Sequence, residues 1–443
     1  MNKKAIGLYA ATSLVIANMV GTGVFTSLGF EALDIHSTFA LMMLWIIGGI
    51  MALCGAFSYA ELGAALPRSG GEYHYLSVVY HPLIGFLSGW VSALVGFAAP
   101  VALASIALGT YFSKLVPGVN VQMLAASVVI LITIVHSTSM QFGVSFQNVF
   151  TTLKVLLVVF FIIAGFFVPE AQHLTLLPIA NGAQPDSWNE IFSPAFAVSM
   201  VFVSYTYSGW NASAYVAGDI ENPKKTLPRS LFMGTAIVMG LYLLLNYVFL
   251  YTTPLSEMIA NGGKLEIGYI SATHIFGATG GQVIAGIISV LLISTISSMI
   301  LSGPRVSMAM GEDITLLKFL SIKTEKGIPI IAIILQAAIT LLIIFVSTFQ
   351  DAMIYVGFTL NLFTLMTVLG VMVFRFKNPN IERPYKTWGY PITPIIFIVL
   401  NIWITWNIFT MKPIQSTYGL LTLLAGAIVY FIGRNKKQSI KTN

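Results

Sequence analysis

The stretch IANMVGTGVF, residues 16–25, begins as an apolar helical run and then carries Gly-Thr-Gly at positions 21–23. Each of two glycines so close together weakens a helix by about 1 kcal/mol relative to alanine. The surrounding run is apolar enough to lie inside a bilayer, where a broken backbone has no water to bond its polar groups. The stretch therefore predicts a helix that is interrupted at membrane depth, and the interruption needs a reason.

The composition of the chain is that of a membrane protein. Its 443 residues are 57% hydrophobic and 9% charged, and the mean hydropathy is +0.86. Soluble domains carry about 25% charged residues, whereas many apolar stretches here run to about 20 residues, the length that spans a bilayer. The sequence predicts an all-α integral membrane protein. The single cysteine, Cys54, excludes a disulfide within the chain and a cysteine metal site.

The apolar runs predict twelve membrane spans in one transmembrane domain, residues 1–443. Their ranges are 5–28, 39–66, 83–112, 121–138, 146–168, 194–217, 229–251, 280–304, 328–347, 351–374, 390–410 and 416–433. An even number of spans places both termini on one side. Of the 22 Lys and Arg residues, only Lys114, Lys264 and Lys412 fall on the opposite side, and Lys154 lies inside a span. This bias predicts cytoplasmic termini and explains the net positive charge without a nucleic-acid partner.

A second interruption lies in span six, which carries YSGWN at residues 207–211. Spans one and six begin two groups of five, residues 5–168 and 194–374, and an odd number of spans inverts the second group. Residues 390–433 then supply two additional helices. Glycines that only let helices pack closely are the alternative explanation. Paired interruptions in inverted repeats are instead typical of a transporter's binding site.

The electrostatics of the two breaks indicate a ligand. The outer half of span one begins near Gly23, where free N–H groups and the Thr22 hydroxyl favour an anion such as a carboxylate. The outer half of span six ends near Tyr207 and Ser208, where free carbonyls suit an ammonium group. A site with donors on one side and acceptors on the other predicts a zwitterion, an α-amino acid.

Five motifs in order resemble the amino acid–polyamine–organocation superfamily, and in particular its L-type neutral amino-acid exchanger branch. They are GTGVF, PRSGGEYHYL, YSGWN, ENPKKTLPRS and RPYKTWGYPITP, and they cover essentially the whole chain. The resemblance implies twelve transmembrane helices in a LeuT-type five-plus-five inverted repeat with broken helices 1 and 6. It also implies alternating access around a substrate site at the midplane.

The resemblance also implies which residues bind substrate. The carboxylate site maps to the first break and the amino-group site to span one and span six, giving the set Asn18, Gly21, Thr22, Gly23, Tyr205, Tyr207, Ser208 and Gly209. The outer aromatic gate maps to Tyr205, with Tyr207 as the other candidate. In exchangers of this family for basic amino acids, a glutamate follows the second break by two residues. Here that position is Asn211, which argues against a cationic substrate.

Lys154 lies in FQNVFTTLKVLLVVFFII, residues 146–163 of span five. A lysine at this depth is costly and is by default a functional candidate. Snorkelling to the interface is the alternative, but a depth of roughly 12 Å exceeds the reach of its stem. By the resemblance, its ammonium takes the place of the cation of sodium-coupled relatives, contacts the unwound end of span one and acts in coupling. We therefore expect sodium independence. A desolvated lysine can also release its proton, which leaves proton coupling open.

Three further expectations concern residues outside the breaks. Glu61, near the inner end of span two, is expected either to face solvent or to pair with Arg68 or the lysines at 224–225 as an inner gate. Spans three, eight and ten are expected to complete the pocket, with Met299 approaching the substrate side chain. No acidic residue is expected in the pocket.

The sequence thus predicts a sodium-independent exchange or uptake system for neutral L-amino acids. The alternatives are a proton- or sodium-coupled symporter and a polyamine or organic-cation carrier, which would want an acidic pocket. The sequence has no HExxH motif, no Gly-x-Ser-Gly motif and no evident pair of carboxylates at bilayer depth, so no enzyme is predicted. The expected partners are an amino acid and the lipid bilayer, without cofactor, metal or obligatory protein partner. Few basic residues and short termini favour a multi-pass plasma-membrane protein, specifically of a bacterial inner membrane.

Overall fold

The computed structural model describes residues 6–138, 140–168, 171–178, 187–261, 267–346 and 349–433. Within these ranges the only β-structure is an isolated parallel bridge between Ile6 and Ile220. The α-helices of this part of the chain are α1 Leu8–Met19, α2 Gly23–Glu31, α3 Thr38–Ala65, α4 Glu72–Val79, α5 Pro82–Val91, α6 Ala98–Leu115, α7 Val121–Thr138, α8 Met140–Gly165, α9 Ser187–Ile191, α10 Pro194–Tyr207, α11 Ala212–Tyr215, α12 Pro223–Thr252, α13 Leu255–Ala260, α14 Ile267–Asp313, α15 Ile330–Val346, α16 Phe349–Lys377, α17 Ile392–Met411 and α18 Pro413–Gly433.

The long apolar runs of the sequence become membrane-length helices. In the described part of the chain, ten helical segments are long and apolar enough to cross a membrane, counting α1 with α2 as one segment and α5 with α6 as another. Two shorter apolar helices, α10 and α15, stand at the positions predicted for spans six and nine. The prediction of an all-helical, multi-pass membrane protein is confirmed.

Both predicted interruptions are present. The first span divides into α1, which ends at Met19, and α2, which begins at Gly23. The sixth ends as a regular helix at Tyr207 and resumes only as the single turn α11. Gly209 has a φ of +95°, a left-handed conformation that glycine adopts without steric cost. Helix α10 therefore ends where the Ser-Gly pair predicts a break.

The two breaks lie against each other. A Cβ atom on Gly209 would approach the Cβ of Asn18 to 2.8 Å, and a Cβ on Gly23 would approach the Cα of Thr206 to 2.9 Å. A side chain at either position would make contacts too short to be tolerated. These glycines therefore let the two broken segments approach backbone to backbone. Gly23 consequently serves helix packing as well as any role in binding.

The end of α3 is tied to α16 and to the loop that follows it. Glu61 is fully buried, and its carboxylate accepts two hydrogen bonds from Arg375, at 2.8 and 2.6 Å. The backbone N–H and the hydroxyl of Thr387 each donate a further hydrogen bond to it at 2.7 Å. This buried cluster fixes the loop before α17 to the C-terminal end of α3.

The predicted partners of Glu61 were therefore wrong. Arg68 instead pairs with Asp313 at the end of α14, at 2.9 Å, and the lysines at 224–225 lie on the first turn of α12. The physical reason is that α3 turns its last polar side chain toward helix α16. That contact joins residues 314 positions apart in the chain, beyond the reach of local charge patterns.

Candidate functional site

Two adjoining cavities lie where the broken segments meet. The smaller is bounded by the first break and Thr206, and the larger extends from the second break toward α4 and leaves about 80 Å³ for the centre of a water molecule. The residues that the sequence assigns to binding all line one or both of these cavities: Asn18, Gly21, Thr22, Gly23, Tyr205, Tyr207, Ser208 and Gly209. The structure thus brings together residues from breaks almost 190 positions apart.

The first turn of α2 presents hydrogen-bond donors to the smaller cavity. Within the described chain, no acceptor is found for the backbone N–H groups of Thr22, Gly23 and Val24. Such groups are left free at any helix start and carry the positive end of the helix dipole. Thr22 and Tyr205 both line this cavity. This arrangement suits a small anionic group.

The carbonyl groups that the first break exposes are held by side chains from other helices. The Tyr242 hydroxyl of α12 lies 2.5 Å from the Met19 carbonyl oxygen and 3.2 Å from that of Thr206. One phenol therefore bridges the two breaks. Nothing in the sequence distinguishes this tyrosine from the other aromatic residues of an apolar helix.

Lys154 donates a hydrogen bond to the next carbonyl group of the first break, that of Val20. Its Nζ atom donates to the Val20 carbonyl oxygen at 2.5 Å and to Thr295 Oγ1 at 2.7 Å, and Thr295 in turn donates to Val20 at 3.0 Å. The side chain is buried and lines neither cavity. The contact with the unwound end of span one, expected from the sequence, is present. The role of Lys154 in coupling stays a prediction.

The two gate candidates differ in placement. Tyr205 lines both cavities. The Tyr207 hydroxyl donates to the Trp45 carbonyl oxygen at 3.1 Å, and its ring packs against Tyr242 with 5.0 Å between ring centroids. Tyr207 is therefore anchored toward α3, whereas Tyr205 lies between the two cavities. The geometry favours Tyr205 as the gate, a role that stays a prediction.

Glu72 is a site residue that sequence reasoning missed. Its buried carboxylate lines the larger cavity and accepts hydrogen bonds from Tyr59 at 2.6 Å, Asn211 at 3.1 Å and Ser88 at 3.3 Å. Burial raises the pKa of this carboxyl to about 7. The expectation that no acidic residue lies in the pocket was wrong. Glu72 stood inside the motif PRSGGEYHYL, but its place after span two did not show that α4 packs beneath the second break.

Spans three, eight and ten complete the cavities, as expected. Ser92, Gly96 and Phe97 of span three line the larger one, and Met299 of α14 lines both. Two polar groups on its wall, the Asn361 amide nitrogen and the Ser204 hydroxyl, are buried without a hydrogen-bond partner among the described residues. They remain free to bond a ligand.

Comparison with known families decides what this site belongs to. The sequence profile of the family described as "Amino acid permease" matches residues 6–433. The chain belongs to the amino acid permease family. It is therefore an amino-acid transporter that lies in a membrane, and not an enzyme.

Relatives of this permease carry names from amino-acid transport. The rabbit (Oryctolagus cuniculus) "Large neutral amino acids transporter small subunit 2" is 28% identical over 97% of this chain and 80% of its own length. The "Serine/threonine exchanger SteT" of Bacillus subtilis is 28% identical over 99% of this chain and 98% of its own length. The mouse "Asc-type amino acid transporter 1" is 27% identical over 97% of this chain.

Proposed function

We propose that this permease exchanges neutral L-amino acids across the plasma membrane without sodium, by alternating access around the two cavities. One observation carries the proposal: the two helix breaks lie side by side and line a shared space. Broken backbone at membrane depth is tolerated where it lines such a cavity. The names of the relatives, which include large neutral amino acids and serine and threonine, support a neutral substrate.

In this proposal the substrate carboxylate binds the free N–H groups of Thr22 and Gly23 and the Thr22 hydroxyl. The ammonium group binds Asn18 and the carbonyl end of α10, from Tyr205 to Ser208. The Asn18 amide nitrogen donates to the Leu14 carbonyl oxygen at 2.8 Å, which leaves its side-chain oxygen as an acceptor. The substrate side chain then extends toward Met299 in the larger cavity.

Lys154 supports sodium independence. Carbonyl oxygens of unwound helices coordinate the sodium ions of coupled transporters. Here the ammonium of Lys154 donates to one such carbonyl oxygen, that of Val20, and to the hydroxyl oxygen of Thr295. An ammonium at this position supplies the charge that an ion would bring. Proton-coupled or sodium-coupled symport is the second candidate.

The proposed architecture has twelve spans. Residues 5–168 and 194–374 form the two inverted repeats of a LeuT-type fold, and residues 390–433 add two helices. The paired breaks support the repeat, and the distribution of Lys and Arg between the loops supports cytoplasmic termini. A bacterial inner membrane is the proposed location.

Glu72 bears on the choice between neutral and cationic substrates. A polyamine or organic-cation carrier would use a free carboxylate in its pocket. The Glu72 carboxylate already accepts hydrogen bonds from three side chains, one of them Asn211, so it is less available to a ligand. We therefore favour a neutral amino acid. We also propose that no protein partner is required, and the one cysteine, Cys54, is buried in α3 and is not available for a disulfide with one.

Exchange in proteoliposomes tests the proposal. Purified permease is reconstituted in sodium-free buffer without a pH gradient, with and without unlabelled neutral L-amino acids inside, and uptake of a radiolabelled mixture is followed. We expect uptake into preloaded vesicles only. Uptake that needs an imposed proton or sodium gradient would contradict exchange, and competition by single amino acids then identifies the substrate.

A further inference from the structure

A groove outside the transport site lies between α3, the first turns of α12 and the loop before α17. The volume that the centre of a water molecule can occupy in this groove is about 720 Å³. This volume is far larger than that of either transport cavity. Its walls come from three separate segments of the chain, represented by Phe57, Phe232 and Trp388. None of the residues that line it lines either transport cavity.

The walls of the groove are aromatic. Phe57 stacks on Phe232 with 5.6 Å between ring centroids, and it contacts Trp388 at the same separation. Phe232 and Trp388 remain 46% and 69% exposed. Three adjoining rings thus form a continuous apolar surface. Tryptophan is favoured at the boundary between lipid and water, where its ring meets both.

The rim of the groove is cationic. Lys225 and Arg229 project from α12, and Lys386 projects from the facing loop. None of these three has a carboxylate partner among the described residues, whereas the neighbouring Lys224 pairs with Glu382 at 3.5 Å. Three cations without counter-ions around one opening attract an anion.

The order of these groups along α12 matches the order of groups in a phospholipid. Lys225, Arg229 and Phe232 are spaced i, i+4 and i+7 and so share one helix face. Phe232 lies about 10 Å deeper along the helix than Lys225. A phosphate at the level of the cations therefore places an acyl chain beside the aromatic wall. Basic pockets between membrane helices on the cytoplasmic side suit anionic lipid headgroups.

We propose that this groove binds an anionic phospholipid, with its phosphate on Lys225, Arg229 and Lys386 and one acyl chain against Phe57, Phe232 and Trp388. The bound lipid joins α3, α12 and the loop before α17. That loop also carries Thr387, which bonds the buried Glu61. The lipid thus stabilises the inner end of α3, a helix whose residues Gly48, Met51 and Ala52 line the larger cavity.

Lipid binding measured by native mass spectrometry tests the proposal. Detergent-solubilised permease is titrated with dioleoyl phosphatidylglycerol and, separately, with dioleoyl phosphatidylcholine. The test variant carries Lys225→Gln, Arg229→Gln and Lys386→Gln. The matched control carries Lys318→Gln, Lys323→Gln and Lys326→Gln, which removes the same charge from another loop. All six residues are exposed, so both variants keep the fold, which their melting temperatures verify.

We expect wild type and control to bind the first phosphatidylglycerol about tenfold more tightly than the test variant, a difference of about 1.4 kcal/mol. Binding of phosphatidylcholine should not change. A separate Trp388→Ala variant should weaken both lipids, because it removes apolar wall and not charge. Equal phosphatidylglycerol binding by test variant and wild type would overturn the proposal. Displacement of the lipid by glycerol 3-phosphate at equal concentration would also overturn it, because the site would then bind a soluble phosphate.

Discussion

Lys154 offers a test of how the first break works, because its contacts can be removed without touching the cavities. Replacing it with methionine keeps an unbranched side chain one heavy atom shorter and removes the ammonium. The variant loses the hydrogen bonds to Val20 and Thr295, while the bond from Thr295 to Val20 at 3.0 Å can remain. A hydrogen bond to a charged group contributes about 1.5–3 kcal/mol net. If the break must hold its shape during the conformational change, exchange slows by about 10- to 150-fold.

The rate and the affinity should respond differently. Lys154 lines neither cavity, so the dissociation constant of the substrate should change by less than about threefold, or about 0.7 kcal/mol. Exchange is measured in proteoliposomes and binding by equilibrium titration in detergent. Lys323→Met is the matched control, because that lysine is exposed and pairs with Glu312 far from the break.

Two outcomes would be incompatible with this role of Lys154. A Lys154→Met permease that exchanges at the wild-type rate would show that the ammonium only fills space. An affinity that falls as far as the rate would place Lys154 in direct contact with the substrate. The melting temperature of each variant separates either result from loss of the fold.

Three other substitutions test single contacts. Gly209→Ala should lower the melting temperature and the exchange rate, since φ is +95° and the new methyl would lie 2.8 Å from Asn18; Gly240→Ala, with no atom within 4 Å of the new methyl, should be neutral or stabilising. Tyr242→Phe removes the hydroxyl that bridges the two breaks and should cost about 1–2 kcal/mol of stability in a thermal assay, with slower exchange. Glu72→Gln should flatten the pH dependence of melting. In the folded wild type, the pKa of the Glu72 carboxyl is about 7, above its usual value of 4.5. The stability that the protonated carboxyl contributes is therefore full below pH 4.5 and is lost as the pH rises to about 7. The variant lacks this carboxyl and should show no such loss. An equally steep fall in the variant would show that another group titrates.

The breaks could be predicted from the sequence because their signals are local. Gly-Thr-Gly and Ser-Gly stand inside apolar runs, where the only other local explanation for glycine is close packing of helices. Their corresponding positions in spans one and six favour a binding site instead. The contact of Lys154 with the first break could be predicted because a charge in an apolar run is conspicuous. In each case, the cost of placing a group in a bilayer makes a short pattern informative.

The contacts between distant helices could not be predicted in this way. Glu61 accepts hydrogen bonds from Arg375 and does not pair with Arg68, which is nearer in the sequence. The reason lies in how α3 packs against α16. Thr295 was not distinguished from the serines around it in span eight, although it alone touches Lys154 and Val20. Glu72 was overlooked because a glutamate just after a span is ordinarily a solvated flank.

In the proposed mechanism, the paired breaks recognise both ends of an α-amino acid. The most direct measurement is competition against exchange of the preferred neutral L-amino acid by three of its analogues: its methyl ester, its decarboxylated amine and its deaminated acid. Each analogue removes or masks one of the two charged groups and keeps the side chain. We expect none of the three to compete at concentrations where the amino acid itself does. An amine that competes as well as the amino acid would contradict the carboxylate site at Thr22 and Gly23, and a competing deaminated acid would contradict the ammonium site at Asn18 and α10.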